Sequence, residues 1–206
     1  MKLLYGTSNK SKIRTMREHV SALGIEILSL DDVSAPDIEI DESGKIPLEN
    51  ARIKALAYYK ALKVPVFSCD SGMHIYGLDD ARQPDVHVRR INGRRLNDDE
   101  MIAHYAAIAK EFGGSVTARY VNSICLVLGD DQIHEHAGED IASERFMIVD
   151  KPHHKRHEGF PIDSLSVHIA SGKYYYDDEN FAVYKQKFFG IADGFAAFFK
   201  RALRIL

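Results

Sequence analysis

The chain opens with a short apolar run, Lys2 to Gly6, that breaks into the polar stretch Thr7-Ser8-Asn9. Beyond it Ile13, Met16, Val20 and Leu23 recur at intervals of three and four, the spacing of one helical face, and Gly24 closes the run. Ile25 to Leu30 is apolar again and has the length of a strand. Strand, polar turn, helix and strand make the opening of an α/β fold. Asp31 to Pro47 is acidic and irregular. A long helix is predicted from about Leu48 to Leu62, with Ala51, Ala55, Leu56 and Tyr59 on its inner side. Val64 to Cys69 then reads as a strand ending abruptly at Asp70-Ser71-Gly72. The ends of buried strands are where open α/β sheets place their chemistry.

The second half continues in mixed style. Asp98 or Asp99 is expected to cap a helix running to Phe112, with Gly113-Gly114 ending it. Val116 to Leu128 is strand-like, Gly129-Asp130-Asp131 has the chemistry of a hairpin turn, and Gln132 to Ala142 is its expected partner. Phe195, Phe198, Phe199 and Leu203 lie on one face of a C-terminal helix predicted over 191–206. No repeat or low-complexity linker divides the chain, so one domain over residues 1–206 is expected.

Composition narrows this picture only a little. The 206 residues are 45% hydrophobic and 28% charged, an ordinary globular balance. A net charge of −3 argues against nonspecific binding to nucleic acid or an anionic membrane, so any phosphate binding must be local. Cys69 and Cys125 stand in apolar runs without metal-ligand spacing and read as reduced core residues, a lone disulfide being the weaker alternative. The start of the chain lacks the pattern of a secretory leader, and no stretch approaches the roughly 20 apolar residues of a membrane helix. A cytoplasmic location is the expectation.

Several residues are candidates for chemistry. Thr7, Ser8, Asn9 and Lys12 surround a predicted helix start, where backbone N–H groups and the helix dipole favour an anion; an ordinary helix cap is the alternative. Glu49 and Asp70 supply hard oxygens of the kind Mg2+ takes in small number, with waters and phosphates completing its shell. Glu49 otherwise serves the dipole of its helix, and Asp70 otherwise initiates a turn. The basic run Arg89 to Arg95, the loop histidines His153, His154 and His157, and Tyr174-Tyr175-Tyr176 are read as solvated or edge features, with one phosphate-facing residue, Arg90.

Taken in order, Thr7-x-Asn9-x-x-Lys12, Glu49-Asn50-Ala51-x-x-Lys54-Ala55 and Asp70-Ser71-Gly72 resemble the motif series of the inosine/xanthosine triphosphate pyrophosphatase family. Pro84-x-Val86-x-x-x-Arg90, Thr117-Ala118-Arg119-Tyr120 and Gly159-Phe160-x-x-Asp163 extend the resemblance over almost the whole chain. It implies an elongated mixed β-sheet with flanking helices, two lobes around a cleft, and a homodimer. It also implies Mg2+-dependent hydrolysis of a nucleoside triphosphate, purine or modified, to the monophosphate and pyrophosphate. Thr7, Ser8, Asn9, Lys12, Lys54, Ser71, Gly72 and Arg90 would then hold the phosphates. Glu49 and Asp70 would bind the metal, Asp70 and Lys12 would act in catalysis, and Phe160 and Asp163 would line the base pocket.

The departures from the family pattern are equally specific. Cys69 stands where the family has the first of two aspartates, and Pro161-Ile162 and Ser164 replace residues of its Gly-Phe motif. The family's Ser-His-Arg base-reading motif falls on Ala197-Phe198-Phe199 when the C-termini are aligned. A nucleotide-binding protein that has lost efficient hydrolysis is therefore the alternative function.

Overall fold

A computed structural model of the chain describes residues 1–91, 93–177 and 191–205. They form a mixed α/β fold of two compact units. The first unit contains Met1–Ser71, Val121–Ala142 and the described C-terminal residues; the second contains Gly72–Tyr120 and the described residues from Ser143 to Asp177.

In the first unit, strand β1 (Lys2–Tyr5) lies between two parallel neighbours, β2 (Glu26–Leu28) and the start of β3 (Val66–Ile75). Side chains alternate across such a sheet and dictate what covers each face. Leu3, Tyr5, Phe67 and Cys69 meet helix α1 (Lys10–His19) and helix α4 (Ile191–Leu203), while Leu4 and Val66 meet helix α2 (Pro47–Leu62) through Ala51, Ala55 and Tyr58. Strands buried on both faces need continuous apolar runs, which is why 2–5 and 66–69 read so clearly as strands. Each fully buried side chain such as Leu3 or Phe67 contributes roughly 1.5–3 kcal/mol.

Helix α4 packs against Glu139–Ile141 so closely that a methyl group at Gly194 would sit 2.0 Å from the Asp140 carbonyl oxygen, a contact only glycine permits. Two further strands, the later part of β6 (Ser115–Gly129) and β7 (Gln132–Ala137), form the expected hairpin about residues 129–132. The partner strand stops at Ala137, short of the expected Ala142, because Glu139–Ile141 turns as a 3-10 segment.

In the second unit, β6 pairs antiparallel with β8 (Phe146–Val149), and β8 pairs with the two-residue β9 (Ser166–Val167). Neither short strand stood out in the sequence. Helix α3 (Asp98–Glu111) packs Met101, Ile102, Tyr105 and Ile108 into the same core as Ile75, Phe146 and Ile148. Its cap is Asn97, not Asp98 or Asp99: Asn97 Oδ1 accepts the Glu100 N–H and the Glu100 carboxylate accepts the Asn97 N–H, a reciprocal closure that satisfies two otherwise orphaned donors. The basic run is not an open loop. Arg90–Ile91 (β4) pairs with Arg94–Arg95 (β5), and Arg89 and Arg94 are ion-paired to Asp98 and Glu100. Among the described residues, no helix is long and apolar enough to cross a membrane.

Candidate active site

Asp70 is not at a strand end. Strand β3 runs through it to Ile75, so Asp70 and Ser71 are mid-strand and Asp70 retains only 8% exposure. The alternation that sends Phe67 and Cys69 toward α1 and α4 turns Ser68 and Asp70 toward α2. A buried carboxylate needs partners, and α2 supplies them one turn apart. Asn50 Nδ2 donates to Asp70 Oδ2 at 3.2 Å, and Lys54 Nζ lies 2.7 Å from Asp70 Oδ1. Lys54 Nζ also lies 3.1 Å from Glu42 Oε2, so one ammonium bridges two carboxylates. Burial opposes the charge on Lys54, but Asp70 and then Glu42 outweigh it and raise its pKa.

The segment before α2 is shaped to deliver Glu42. Asn50 Oδ1 accepts the Gly44 N–H at 2.8 Å, and a Cβ at Gly44 would come within 2.6 Å of that oxygen. Only glycine allows this approach, and it anchors the acidic segment onto the first turn of α2. Glu49 is placed differently from Glu42. It is exposed, and its Oε2 accepts the Lys45 N–H at 2.7 Å, closing the start of α2. Glu42 and Asn50 are thus members of the Asp70 cluster that the sequence left without a role. The signal for Asn50 was present, a polar residue four before Lys54 on an otherwise apolar helix face. For Glu42 there was none, since it lies in an irregular segment rich in acids.

The turn after β1 is organised by Asn9, which caps α1. Its Oδ1 accepts the N–H groups of Ser11 at 2.9 Å and Lys12 at 3.1 Å, while its own N–H donates to Thr7 Oγ1 at 3.2 Å. The cap therefore takes up two of the N–H groups that the sequence left available to an anion. Asn9 Nδ2 has no partner among the described residues. Lys12 is half-buried, and its ammonium has no ion-pair partner among them either. Burial, and then the charge of Lys54, lower its pKa. Asp70 and Glu42 act on it in the opposite sense but do not offset this, and an ammonium so placed is one that a further anion stabilises.

Cys69 has no part in this polar cluster. Burial pushes its thiol up to about 12, and the thiol hydrogen-bonds with the Tyr5 phenol on the α1 side of the sheet. Phe198 and Phe199 are likewise core residues, Phe199 meeting Phe67 edge-on at 5.2 Å. Phe198 and Phe199 are there to pack α4, and as buried apolar rings they offer no polar contact to a base.

Thr7, Ser8, Asn9, Lys12, Glu49, Lys54, Asp70 and Ser71 all belong to the first unit. Gly72, Arg90, Phe160 and Asp163 belong to the second. There Gly72 is buried in β3 and Arg90 is exposed on β4. Phe160 tilts against the His157 ring at 5.2 Å, and Asp163 lies 3.8 Å from His157 Nδ1 in the 3-10 turn Pro161–Leu165. His153 packs against His154, Tyr174 and Tyr176 and pairs with Asp177 at 3.2 Å, which fixes this loop to the 174–177 segment. Among the described residues no three His, Cys, Asp or Glu side chains stand grouped to hold a metal by themselves.

Comparison with known proteins adds a further finding. A profile of the Ham1 family matches residues 3–165. A dITP/XTP pyrophosphatase of Rhodopseudomonas palustris is 33% identical over 138 residues, covering 65% of this chain and 64% of the relative. One from Thermus thermophilus is 28% identical over 173 residues, covering 84% and 79%. Against the first of these the aligned part spans less than two thirds of the relative's length. A solved HAM1 protein from Coxiella burnetii superposes with a TM-score of 0.71 at 22% identity, covering 99% of this chain and 98% of that one, which establishes the shared fold.

Proposed function

This chain belongs to the Ham1 family, and from that premise we propose that it hydrolyses a purine nucleoside triphosphate to the monophosphate and pyrophosphate with Mg2+. The observation that carries the proposal is the presence, within one unit, of an ammonium whose pKa burial and Lys54 lower, Lys12, and a buried carboxylate, Asp70, held by Asn50 and Lys54. The relatives named dITP/XTP pyrophosphatases support the reaction class.

In this proposal Lys12, Asn9 Nδ2 and the hydroxyls of Thr7 and Ser8 take the outer phosphates, whose charge stabilises the Lys12 ammonium. Ser71, in the same unit, completes these phosphate contacts. The donor set suits Mg2+: Asp70, Glu49 and Glu42 offer hard carboxylate oxygens within one unit, the kind of ligand this ion takes in ones or twos beside phosphates and water. When bound, the ion supplies charge neutralisation on the phosphates. We assign its carboxylates to Asp70 and Glu49, whose Oε2 also accepts the Lys45 N–H, with Glu42 a further donor beside Asp70. Asp70 also orients the attacking water and accepts its proton, while Lys54 moves with the charge it now balances. Cys69 is no nucleophile here, since its thiol is neutral and core-facing.

A homodimer in the cytoplasm is part of the same proposal, checked by sedimentation and by fractionation of cells. The missing first carboxylate, replaced by Cys69, favours one second reading: a nucleotide-binding protein with little turnover. The deciding experiment measures pyrophosphate and orthophosphate release from ordinary, deaminated and modified triphosphates with Mg2+. Pyrophosphate release supports hydrolysis of the proposed class, and orthophosphate as the only product sinks it. Tight triphosphate binding without turnover selects the second reading.

A further inference from the structure

We propose that the basic end of the α1–α4 helix pair is a landing surface that captures the polyphosphate tail of the substrate before it reaches Lys12. The proposal rests on the function proposed above. Three ring contacts fix the geometry. Phe195, near the start of α4, stacks with His19, the last residue of α1, at 6.1 Å. Four residues later Phe199 meets Phe67 at 5.2 Å, and Phe67 stacks on Tyr5, the last residue of β1, at 4.4 Å. Helix α1 begins just beyond Tyr5 and ends at His19, so α4 runs against it. The end of α4 and the start of α1 therefore share the edge where β1 terminates and where Asn9 and Lys12 stand.

The charges separate along this pair. At the Lys12 edge lie Lys10 and Arg14 of α1 and Lys200, Arg201 and Arg204 of α4 and the residue following it, all exposed. At the opposite end lie Glu18 and Asp193, with Arg17 bound to Asp32 at 3.1 Å. The chain as a whole carries −3, so this is a local arrangement and not general basicity. Burial of Phe195, Phe198 and Phe199 turns Lys200 and Arg201 to the water side of α4. Arg204 is not a fraying tail: at a φ of 53° it closes the helix, with the Ile205 N–H donating to the Lys200 carbonyl at 3.0 Å. Such a field reaches about 8 Å into physiological salt and raises the capture rate of a highly charged anion by roughly 10- to 1,000-fold.

The test combines Lys200→Gln, Arg201→Gln and Arg204→Gln in one variant and measures kcat/KM from about 20 mM to about 0.5 M salt, where the Debye length falls from over 20 Å to a few Å. The expected result is a roughly tenfold lower kcat/KM at low salt, an unchanged kcat, and convergence with the parent at high salt. Arg14→Gln on the other helix should give a smaller loss with the same salt dependence. A deficit that persists at high salt, a fall in kcat, or no change at all overturns the proposal. If the parent turns over no triphosphate, the function proposed above fails, and calorimetric titration with inorganic tripolyphosphate still decides the matter. Salt-dependent weakening in the triple variant upholds the landing surface, and equal affinity at every salt concentration removes it.

Discussion

Replacing Asp70 by asparagine keeps the shape of the side chain and removes one charge from the most buried part of the polar cluster. An exposed turn residue would tolerate this with a change of about 0.5 kcal/mol or less. Asp70 is instead mid-strand, and it and Lys54 each keep only 12% side-chain exposure at a separation of 2.7 Å. Removing one partner of a buried ion pair costs roughly 3–5 kcal/mol when nothing compensates. Here Glu42 still holds Lys54 at 3.1 Å, and the new amide can accept from Asn50 or from Lys54 but not from both, its NH2 facing the other donor. The expected loss is therefore smaller, about 1–2 kcal/mol, or roughly 4 °C in thermal midpoint for a chain of this size. Turnover should fall by at least about a hundredfold, some 2.7 kcal/mol of transition-state stabilisation, because the neutral amide binds a hard cation more weakly than a carboxylate and does not accept the proton of the attacking water. The assay pairs pyrophosphate release with a thermal melt, and adds Asp70→Asn combined with Lys54→Met. Lys54 then has no charge left to satisfy, so the double variant should be more stable than the sum of the two single losses implies. Turnover near the parent's in a folded Asp70→Asn protein refutes the catalytic assignment; an additive double variant refutes the coupling.

Lys12→Ala should weaken triphosphate binding by roughly 1.5–3 kcal/mol and monophosphate binding much less, as read by calorimetry; equal losses would take Lys12 off the outer phosphates. His19 is half-buried with an unsatisfied Nδ1, and burial lowers its pKa to about 4. The unfolded chain, with an ordinary value near 6.5, then binds the proton first, so stability should fall as pH drops from about 6.5 to about 4, by up to about 3 kcal/mol. His19→Leu should flatten that part of the denaturation profile, and an unchanged slope would show that His19 is not its source. Gly194→Ala drives a methyl group into the Asp140 carbonyl, 2.0 Å away and part of the backbone, and should cost about 1–3 kcal/mol in urea denaturation. A neutral outcome there would mean that α4 shifts freely.

The sequence by itself determined the elements whose neighbours are local. Apolar runs buried on both faces announced β1 and the start of β3, and helical periodicity announced α1, α2 and α4, because these patterns follow from one period and one buried face. The order of short motifs carried the family, since such a series is specific as an ordered set even where no single motif is. Elements that owe their existence to distant partners were not legible. Strands β8 and β9 have four and two residues and are strands only because β6 pairs with one and supports the other. The end of β3 was misplaced for the same reason. Asp-Ser-Gly has the local chemistry of a turn, but the sheet continues through it, with Met73 and Ile75 filling a core that the local sequence cannot announce.

Tertiary structure alone decided how the charges are shared. Whether an acid caps a helix, pairs with a lysine or faces water depends on which backbone and side-chain atoms the fold brings within about 3 Å, and spacing along the chain does not carry that information. So Glu49, prominent in its motif, closes α2 through Lys45, while Glu42, inconspicuous among acids, is joined through Lys54 to Asp70. The strand's two-residue alternation likewise separates adjacent neighbours, sending Cys69 into the core beside Tyr5 and turning Asp70 to Asn50 and Lys54.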